Sequence, residues 1–229
     1  MFKSEVRLLK NENAKQLMSL KEGDRKNINS IMKSMSIFKI NSYDAQVIIR
    51  DLIGMSQELE LRGSSLEQSV NSDFTGFVKD IIENSAGPSI WEIITGFLLK
   101  LSGNFFICFS LLSIGAYSSF SWESSSIIFP LYFGMTLIVF ITEGIVTPLF
   151  SVRKGYAKHI PSFISLVFFL GLAGVTFLLV DNVNTVPVNG SLIIGVSGLS
   201  YIILSYLNIK NINRLSIGKN NFIDDLITK

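Results

Sequence analysis

The spacing of apolar residues along the chain changes sharply near Pro88. Before it, apolar side chains recur every three or four positions among charges, which is the pattern of amphipathic helices. After it, four long runs are apolar on every helical face. We therefore expect an all-α protein, with a small cytoplasmic helical domain at residues 1–87 and a four-helix transmembrane bundle at residues 88–209.

The four apolar runs lie at about 102–120, 127–150, 160–180 and 191–209. Each is close to the ~20 residues that a helix needs to cross about 30 Å of hydrocarbon. Backbone amides in lipid have no water to bond, so each run should be helical. The first helix could begin earlier, because apolar residues from Ile90 onward already follow helical spacing.

Basic residues fall on one side of these runs. Residues 121–126 and 181–190 contain no Lys or Arg, whereas residues 151–159 contain three and residues 210–229 contain four. Lys and Arg are concentrated in the cytoplasmic loops of membrane proteins. The pattern predicts a multi-pass protein of the cell membrane with both termini in the cytoplasm, and with 210–229 as a basic cytoplasmic tail. The first residues lack the apolar core of a signal peptide, which agrees with this orientation.

Capping residues divide the N-terminal domain into helices. Apolar spacing predicts helices over 4–20 and 27–38. We expect Ser42 to cap a third helix and Gly63 to end it in a left-handed conformation. A short turn should follow, and Asp73 should cap the last helix.

A pattern of apolar, acidic and glycine residues runs through the second half of this domain. Its members are Asp51-Leu52-Ile53-Gly54-Met55, Glu58, Leu61-Arg62-Gly63-Ser64-Ser65-Leu66, Val70, Asp73 and Phe77. Over about Leu8–Asn84 the chain resembles the HAAS-type cytoplasmic helical domain of bacterial membrane proteins. The resemblance implies a small helical domain followed by several membrane helices, and a signalling role beside PadR-type transcription regulators.

One acidic residue, Glu143, lies inside the second apolar run. A charged side chain at the centre of a membrane helix costs roughly 2.5–3.5 kcal/mol on insertion scales, so it needs an explanation. It could handle protons or ions, or it could form a membrane-embedded pair with Lys100. A protonated Glu143 held by Asn104, Thr142 or Thr147 is the structural alternative. The apolar runs contain no second acid, which argues against a stand-alone transporter.

The sequence predicts no catalytic, cofactor-binding or metal site. His159 is the only histidine and Cys108 the only cysteine, so a zinc or iron–sulfur centre lacks ligands. There is no glycine-rich phosphate loop and no Ser-His-Asp set. Basic residues are too sparse for a nucleic-acid surface. We therefore expect a protein that is not an enzyme, uses no cofactor and binds no nucleic acid.

These patterns favour an integral membrane protein with a cytoplasmic interaction or signalling domain. Such a protein would couple the state of the membrane, or a membrane partner, to a cytoplasmic regulator. The alternative is an accessory or permease-type subunit of a larger transporter complex. Small residues in the third and fourth runs suit helix packing within the chain or in an oligomer. They are Gly171, Gly174, Ser191, Gly195 and Gly198. The expected partners are the lipid bilayer and a second protein.

Overall fold

The computed structural model describes residues 5–70, 73–115, 121–125, 127–151, 153, 155–179 and 185–216. These residues form helices and one short two-stranded ribbon, which confirms the all-α prediction. They fall into two compact units. Unit 1 contains the described residues of Met1–Ile93, Thr147–Lys158 and Asn208–Lys229, and unit 2 those of Ile94–Val146 and His159–Leu207.

Unit 1 begins with a run of short helices. They are α1 (Glu5–Ser19), α2 (Glu22–Ser34), α3 (Ser42–Leu61), α4 (Leu66–Ser69) and α5 (Phe74–Glu83). Helix α2 begins and ends earlier than predicted. Acidic residues in its first turn stabilise a helix N-terminus although they interrupt the apolar spacing. After its end, the Ser36 hydroxyl accepts the Phe38 N–H at 3.1 Å and forms a local turn instead.

The predicted caps of α3 to α5 are mostly confirmed. Asn41, not Ser42, caps α3, since its side chain accepts the Asp44 N–H at 2.9 Å. Gly63 has φ +72° after the end of α3, as the left-handed prediction requires. Asp73 accepts the Gly76 N–H at 2.7 Å and so caps α5.

The core of unit 1 lies where α2, α3 and α4 meet. Its buried apolar members are Leu20, Ile28, Ile31, Ile49, Leu52, Ile53, Leu66 and Val78. One carboxylate, Asp24, is buried beside them. It accepts the Ser56 hydroxyl at 2.7 Å and the Leu66 N–H at 3.1 Å, and so joins the three helices. A buried carboxylate needs such donors to offset the loss of water.

Long apolar helices follow. They are α6 (Ile90–Gly115), α7 (Ile128–Ile141) with a π-helical turn (Thr142–Val146) and α8 (Thr147–Phe150), then α9 (Ile160–Leu179) after a 3-10 turn (Gly155–His159), and α10 (Gly190–Ser216). Helix α6 begins well before residue 102, and α10 continues into the predicted tail as far as Ser216. Predicted residues 116–120 and 217–229 lie outside the described part.

Among the residues that the structure describes, three helices, not the predicted four, are long and apolar enough to span a membrane. They cover Ile90–Ile114, Phe129–Phe150 and Gly190–Leu215. The run predicted at 160–180 is helical as α9, of which the described residues Ile160–Val175 count as a shorter apolar helix. The four-helix prediction is therefore wrong in this count.

The segments expected to be plain loops contain a two-stranded ribbon in unit 2. Strand β1 (Ser121–Ser125) pairs antiparallel with β2 (Thr185–Asn189), from Ser121 opposite Asn189 to Ser125 opposite Thr185. Val188 of β2 is buried. The ribbon fixes the segment that follows α6 beside the segment that precedes α10.

Candidate functional site

The surface of the three candidate spans is apolar over most of its area. Large side chains such as Leu111, Leu199 and Ile202 are more than 60 % exposed. Water-soluble proteins rarely expose contiguous apolar patches larger than a few hundred Å². This surface is chemically inert, so any site must come from the polar residues that interrupt it.

The two charged residues singled out from the sequence form an ion pair. Lys100 of α6 contacts the carboxylate of Glu143, which lies in the π-helical turn after α7. The Lys100 ammonium also lies 5.7 Å from the centre of the Phe140 ring, within cation–π range. The structure therefore brings together the candidate pair. Its placement within a membrane and its function stay predictions.

The π-helical turn that holds Glu143 has a local cause. Pro148 has no N–H to donate to the carbonyl of Gly144, four residues earlier, and its ring crowds that carbonyl. The helix widens over Thr142–Val146, immediately before the proline's turn. Such turns are frequent at functional positions of helices.

A neutral hydrogen bond lies one helical turn from the ion pair. Asn104 of α6 donates its side-chain amide to the Thr136 hydroxyl of α7 at 3.1 Å. Thr136 is buried and donates in turn to the Tyr132 carbonyl at 2.9 Å. Asn104 thus has a partner other than Glu143. We call Lys100, Asn104, Thr136 and Glu143 the polar seam.

Aromatic rings pack around the polar seam. Phe97 lies edge-on to Phe133 and Phe140, with centroids 5.7 Å and 5.4 Å away. Farther along α6, the fully buried Phe109 stacks between Phe105 and Phe129 at 5.7 Å and 5.9 Å. The seam is therefore the polar part of an otherwise apolar contact between α6 and α7, and it fixes which faces of the two helices meet.

A second polar cluster lies in unit 1, where α6 begins. The buried carboxylate of Glu92 accepts both the N–H and the hydroxyl of Ser42, each at 2.6 Å. Beside it, the Asn41 N–H and side-chain amide donate to the Ala86 carbonyl at 3.2 Å and 3.0 Å. We call Asn41, Ser42, Ala86 and Glu92 the joint. It attaches the first turn of α6 to the N-terminus of α3.

The sequence did not reveal the joint, although it contained an ambiguous signal. Ser89-x-x-Glu92 has the spacing of a capping box, in which the glutamate would bond its own helix N-terminus. Half of that motif forms, because the Glu92 N–H donates to the Ser89 hydroxyl at 3.2 Å. The Glu92 carboxylate instead bonds Ser42, a residue 50 positions away that local spacing cannot identify.

The other residues singled out from the sequence do not form a reactive or metal-binding cluster among the described residues. His159 is exposed and Cys108 is partly buried. Within the described ranges, no three histidine, cysteine or acidic residues lie close enough to hold a metal ion. A groove of about 610 Å³ between α6 and α10 in unit 2 is lined by apolar side chains and serines, so it offers no ionisable group.

Comparisons with protein-family models, with curated proteins and with solved structures find no match to this chain. The resemblance to HAAS-type domains therefore stays a prediction.

Proposed function

We propose that this chain is a multi-pass membrane protein in which α6 couples the membrane helices to a cytoplasmic helical domain that signals to a protein partner. The joint carries the proposal. Glu92 belongs to a helix long and apolar enough to span a membrane, and its buried carboxylate holds the N-terminus of α3. Axial movement of α6 would act directly on these two hydrogen bonds.

The ribbon supports a fourth crossing by α9. If Phe129–Phe150 crosses the membrane, residue 150 lies on the side opposite β1. Strand β2 is hydrogen-bonded to β1, so it lies on the same side as β1. The chain must therefore return between 151 and 184, where α9 supplies 20 helical residues. At 1.5 Å per residue these span about 30 Å.

Four crossings would put both chain ends on one side, and the distribution of basic residues indicates which side. The segments 151–159 and 210–229 contain seven Lys and Arg, whereas the ribbon segments contain none. The positive-inside rule then places the ribbon outside and both ends in the cytoplasm.

A disulfide across the ribbon tests this arrangement. In a Cys108→Ser background, Ser124→Cys with Val186→Cys places two cysteines directly opposite one another. A membrane-impermeant oxidant added to intact cells should crosslink them. Ser121→Cys with Val186→Cys is the control, because the pair is three positions out of register and too far apart to bridge. Failure of the in-register pair, or equal crosslinking of both pairs, would contradict the arrangement.

Coupling requires an element with two states of similar free energy. The polar seam with its π-helical turn is the candidate for this element. Loss of the Lys100–Glu143 ion pair would leave only the Asn104–Thr136 hydrogen bond of the seam between α6 and α7. In the full chain in lipid nanodiscs, Glu143→Gln should change amide exchange at residues 42–46 by at least about twofold. Glu92→Ala should abolish that response. The coupling would be refuted if amide exchange at residues 42–46 were unchanged by Glu143→Gln. It would also be refuted if that exchange still changed in the Glu92→Ala background.

The partner would be a cytoplasmic regulator, as the HAAS-type resemblance implies. An accessory subunit of a transporter is the second candidate. One observation favours it: no atom of the described residues lies within 4 Å of where a side chain would begin at Gly171 and Gly174 of α9, which leaves room for another helix. Purification of the full chain from mild detergent distinguishes the two. Recovery of a transcription regulator supports the first, and recovery of an ATPase subunit supports the second.

A further inference from the structure

The ion pair of the polar seam lies at the edge of the contact between α6 and α7, and its charges are partly exposed. The side chain of Lys100 is 39 % exposed and that of Glu143 is 57 % exposed. Asn104, one turn along α6 from the lysine, is exposed as well. Two exposed apolar residues adjoin them by helical spacing, Ile107 on α6 and Val139 on α7. We call these five residues the pair face.

The other apolar helices of unit 2 contact different sides of α6 and α7. Gly134 of α7 lies against Leu172 of α9, on the side of α7 that helical spacing places opposite Glu143. Gly198 of α10 lies against Phe106 of α6, which is rotated by about a third of a turn from the lysine of the pair. The pair face therefore stays open among the described residues.

A partly exposed charge at this depth of a membrane needs a polar partner. At 1.5 Å per residue, Glu143 lies about 10 Å before the end of the candidate span Phe129–Phe150. A lysine side chain is long enough to extend toward the head groups, whereas a glutamate side chain is shorter. Charged side chains within spans face protein or water, because hydrocarbon offers them no hydrogen bond. The pair face therefore fits a second protein surface better than it fits lipid.

The charges of the pair face are complementary to those of a second copy. A two-fold axis brings the same surface of both copies together, so a face that carries both signs can neutralise itself. An axis beside the pair brings Lys100 of each copy toward Glu143 of the other, and the four charges alternate in sign. The Asn104 carboxamide has a second N–H donor and an acceptor oxygen beyond its bond to Thr136. An unrelated partner would need its own pair of opposite charges at the same depth.

We propose that the pair face is the interface of a homodimer, in which each copy completes the polar seam of the other. This inference rests on the proposed membrane placement of α6 and α7. It also deepens the proposed function, because the element proposed to have two states then responds to the association of two chains. Dimerisation is thus the input that the joint transmits to α3.

Energy transfer between labelled chains tests the dimer. In a Cys108→Ser background, Tyr156→Cys carries a donor dye on one sample of the full chain and an acceptor dye on another, and both are reconstituted in phosphatidylcholine vesicles. We expect energy transfer above that of random collisions, which disappears as added lipid dilutes the chains. Glu143→Gln should shift this dilution about tenfold toward weaker association. Lys210→Gln, which removes a charge from α10, should shift it less than about twofold.

Exchange of the charges distinguishes contacts within a chain from contacts between chains. Lys100→Glu leaves a chain with two carboxylates in the pair face, and Glu143→Lys leaves one with two ammonium groups. Each variant alone should lose energy transfer through like-charge repulsion, whereas an equimolar mixture of the two should regain it. The double variant, with both substitutions in one chain, should associate like the unchanged chain.

Three results would overturn the proposal. The first is energy transfer in the unchanged chain no higher than that of random collisions. The second is an equal shift in Glu143→Gln and Lys210→Gln. The third is a mixture of membrane-inserted single-swap chains that associates no more than either chain alone. If a single-swap chain does not insert, the comparison of Glu143→Gln with Lys210→Gln decides.

Failure of the dimer and failure of the coupling are distinguishable. In nanodiscs that each hold one chain, the exchange response of residues 42–46 to Glu143→Gln measures the coupling without a second copy.

Discussion

Apolar side chains have opposite environments in the two regions of the molecule, helices α1 to α5 of unit 1 and the apolar helices of unit 2. In the first region, Ile28, Ile31 and Ile53 are fully buried. In the second, leucines and phenylalanines are exposed, while Thr136 and Ser197 are buried. The first arrangement removes apolar surface from water. The second arrangement leaves the apolar surface on the outside of the helices and keeps polar groups between them, as expected where lipid is the solvent.

The core of unit 1 should be the most sensitive to loss of apolar volume. Ile53→Ala removes a fully buried side chain and should destabilise the domain by about 2–5 kcal/mol. Amide exchange across α2 and α3 in the full chain measures this. Leu61→Ala is the matched control, because Leu61 is 90 % exposed and should cost little. Equal losses in both variants would contradict the assigned core.

A charge introduced at an exposed apolar position tests whether lipid or water surrounds each of the two regions. Leu111→Lys on α6 should lower the stability of the membrane-inserted protein by about 2.5–3.5 kcal/mol, because the position would face hydrocarbon. Leu61→Lys in unit 1 should be nearly neutral, since water solvates that position. Membrane-fraction yield and thermal stability in nanodiscs report the difference. A harmless Leu111→Lys would indicate that water, not lipid, surrounds α6.

The buried carboxylate of unit 1 should come next in size. Asp24→Ala removes two acceptors and leaves the Leu66 N–H without its partner, so we expect a loss of about 1–3 kcal/mol. Asp24→Asn keeps an oxygen acceptor and should lose less. Urea unfolding of the full chain, followed by exchange at α4, measures both. The role of Asp24 would be refuted if alanine were no worse than asparagine.

The polar seam should show a smaller, specific coupling between α6 and α7. Lys100→Met and Glu143→Gln should each destabilise the protein, whereas the double variant should lose less than the sum. Polar contacts between membrane helices suggest a coupling of about 0.6–1.7 kcal/mol. A double-mutant cycle of thermal stability in nanodiscs measures it. Strict additivity would show that the ion pair contributes nothing.

An exposed ion pair on α2 should have the smallest effect. The hydrogen bond and charge of Lys26 lower the pKa of Glu22 below its usual value. The carboxylate therefore stabilises the folded state above its ordinary pKa, and this contribution disappears as pH falls through the lowered value. Because the pair is fully solvated, salt should screen it. Glu22→Gln should slightly flatten the acid side of the stability–pH curve, and an unchanged curve would exclude any contribution.

Much of this architecture could be predicted from local spacing. The caps at Gly63 and Asp73 depend on residues within one turn, and the apolar runs depend on composition alone. The burial cost of Glu143 pointed to Lys100 as one of several partners, and the structure pairs the two.

The joint and the ribbon could not be found in this way. The Glu92–Ser42 and β1–β2 contacts join residues far apart in sequence, and tertiary structure alone decides them. The π-helical turn depends on Pro148, which spacing identifies only as a kink or a helix start.

Labelling of single cysteines in intact cells most directly tests the proposal that the chain crosses the membrane four times with both ends inside. In a Cys108→Ser background, Ser124→Cys in the ribbon and Tyr156→Cys before α9 should lie on opposite faces. We predict that a membrane-impermeant maleimide labels position 124 in intact cells and position 156 only after permeabilisation. Labelling of position 156 from outside, or protection of position 124 until permeabilisation, would contradict the account.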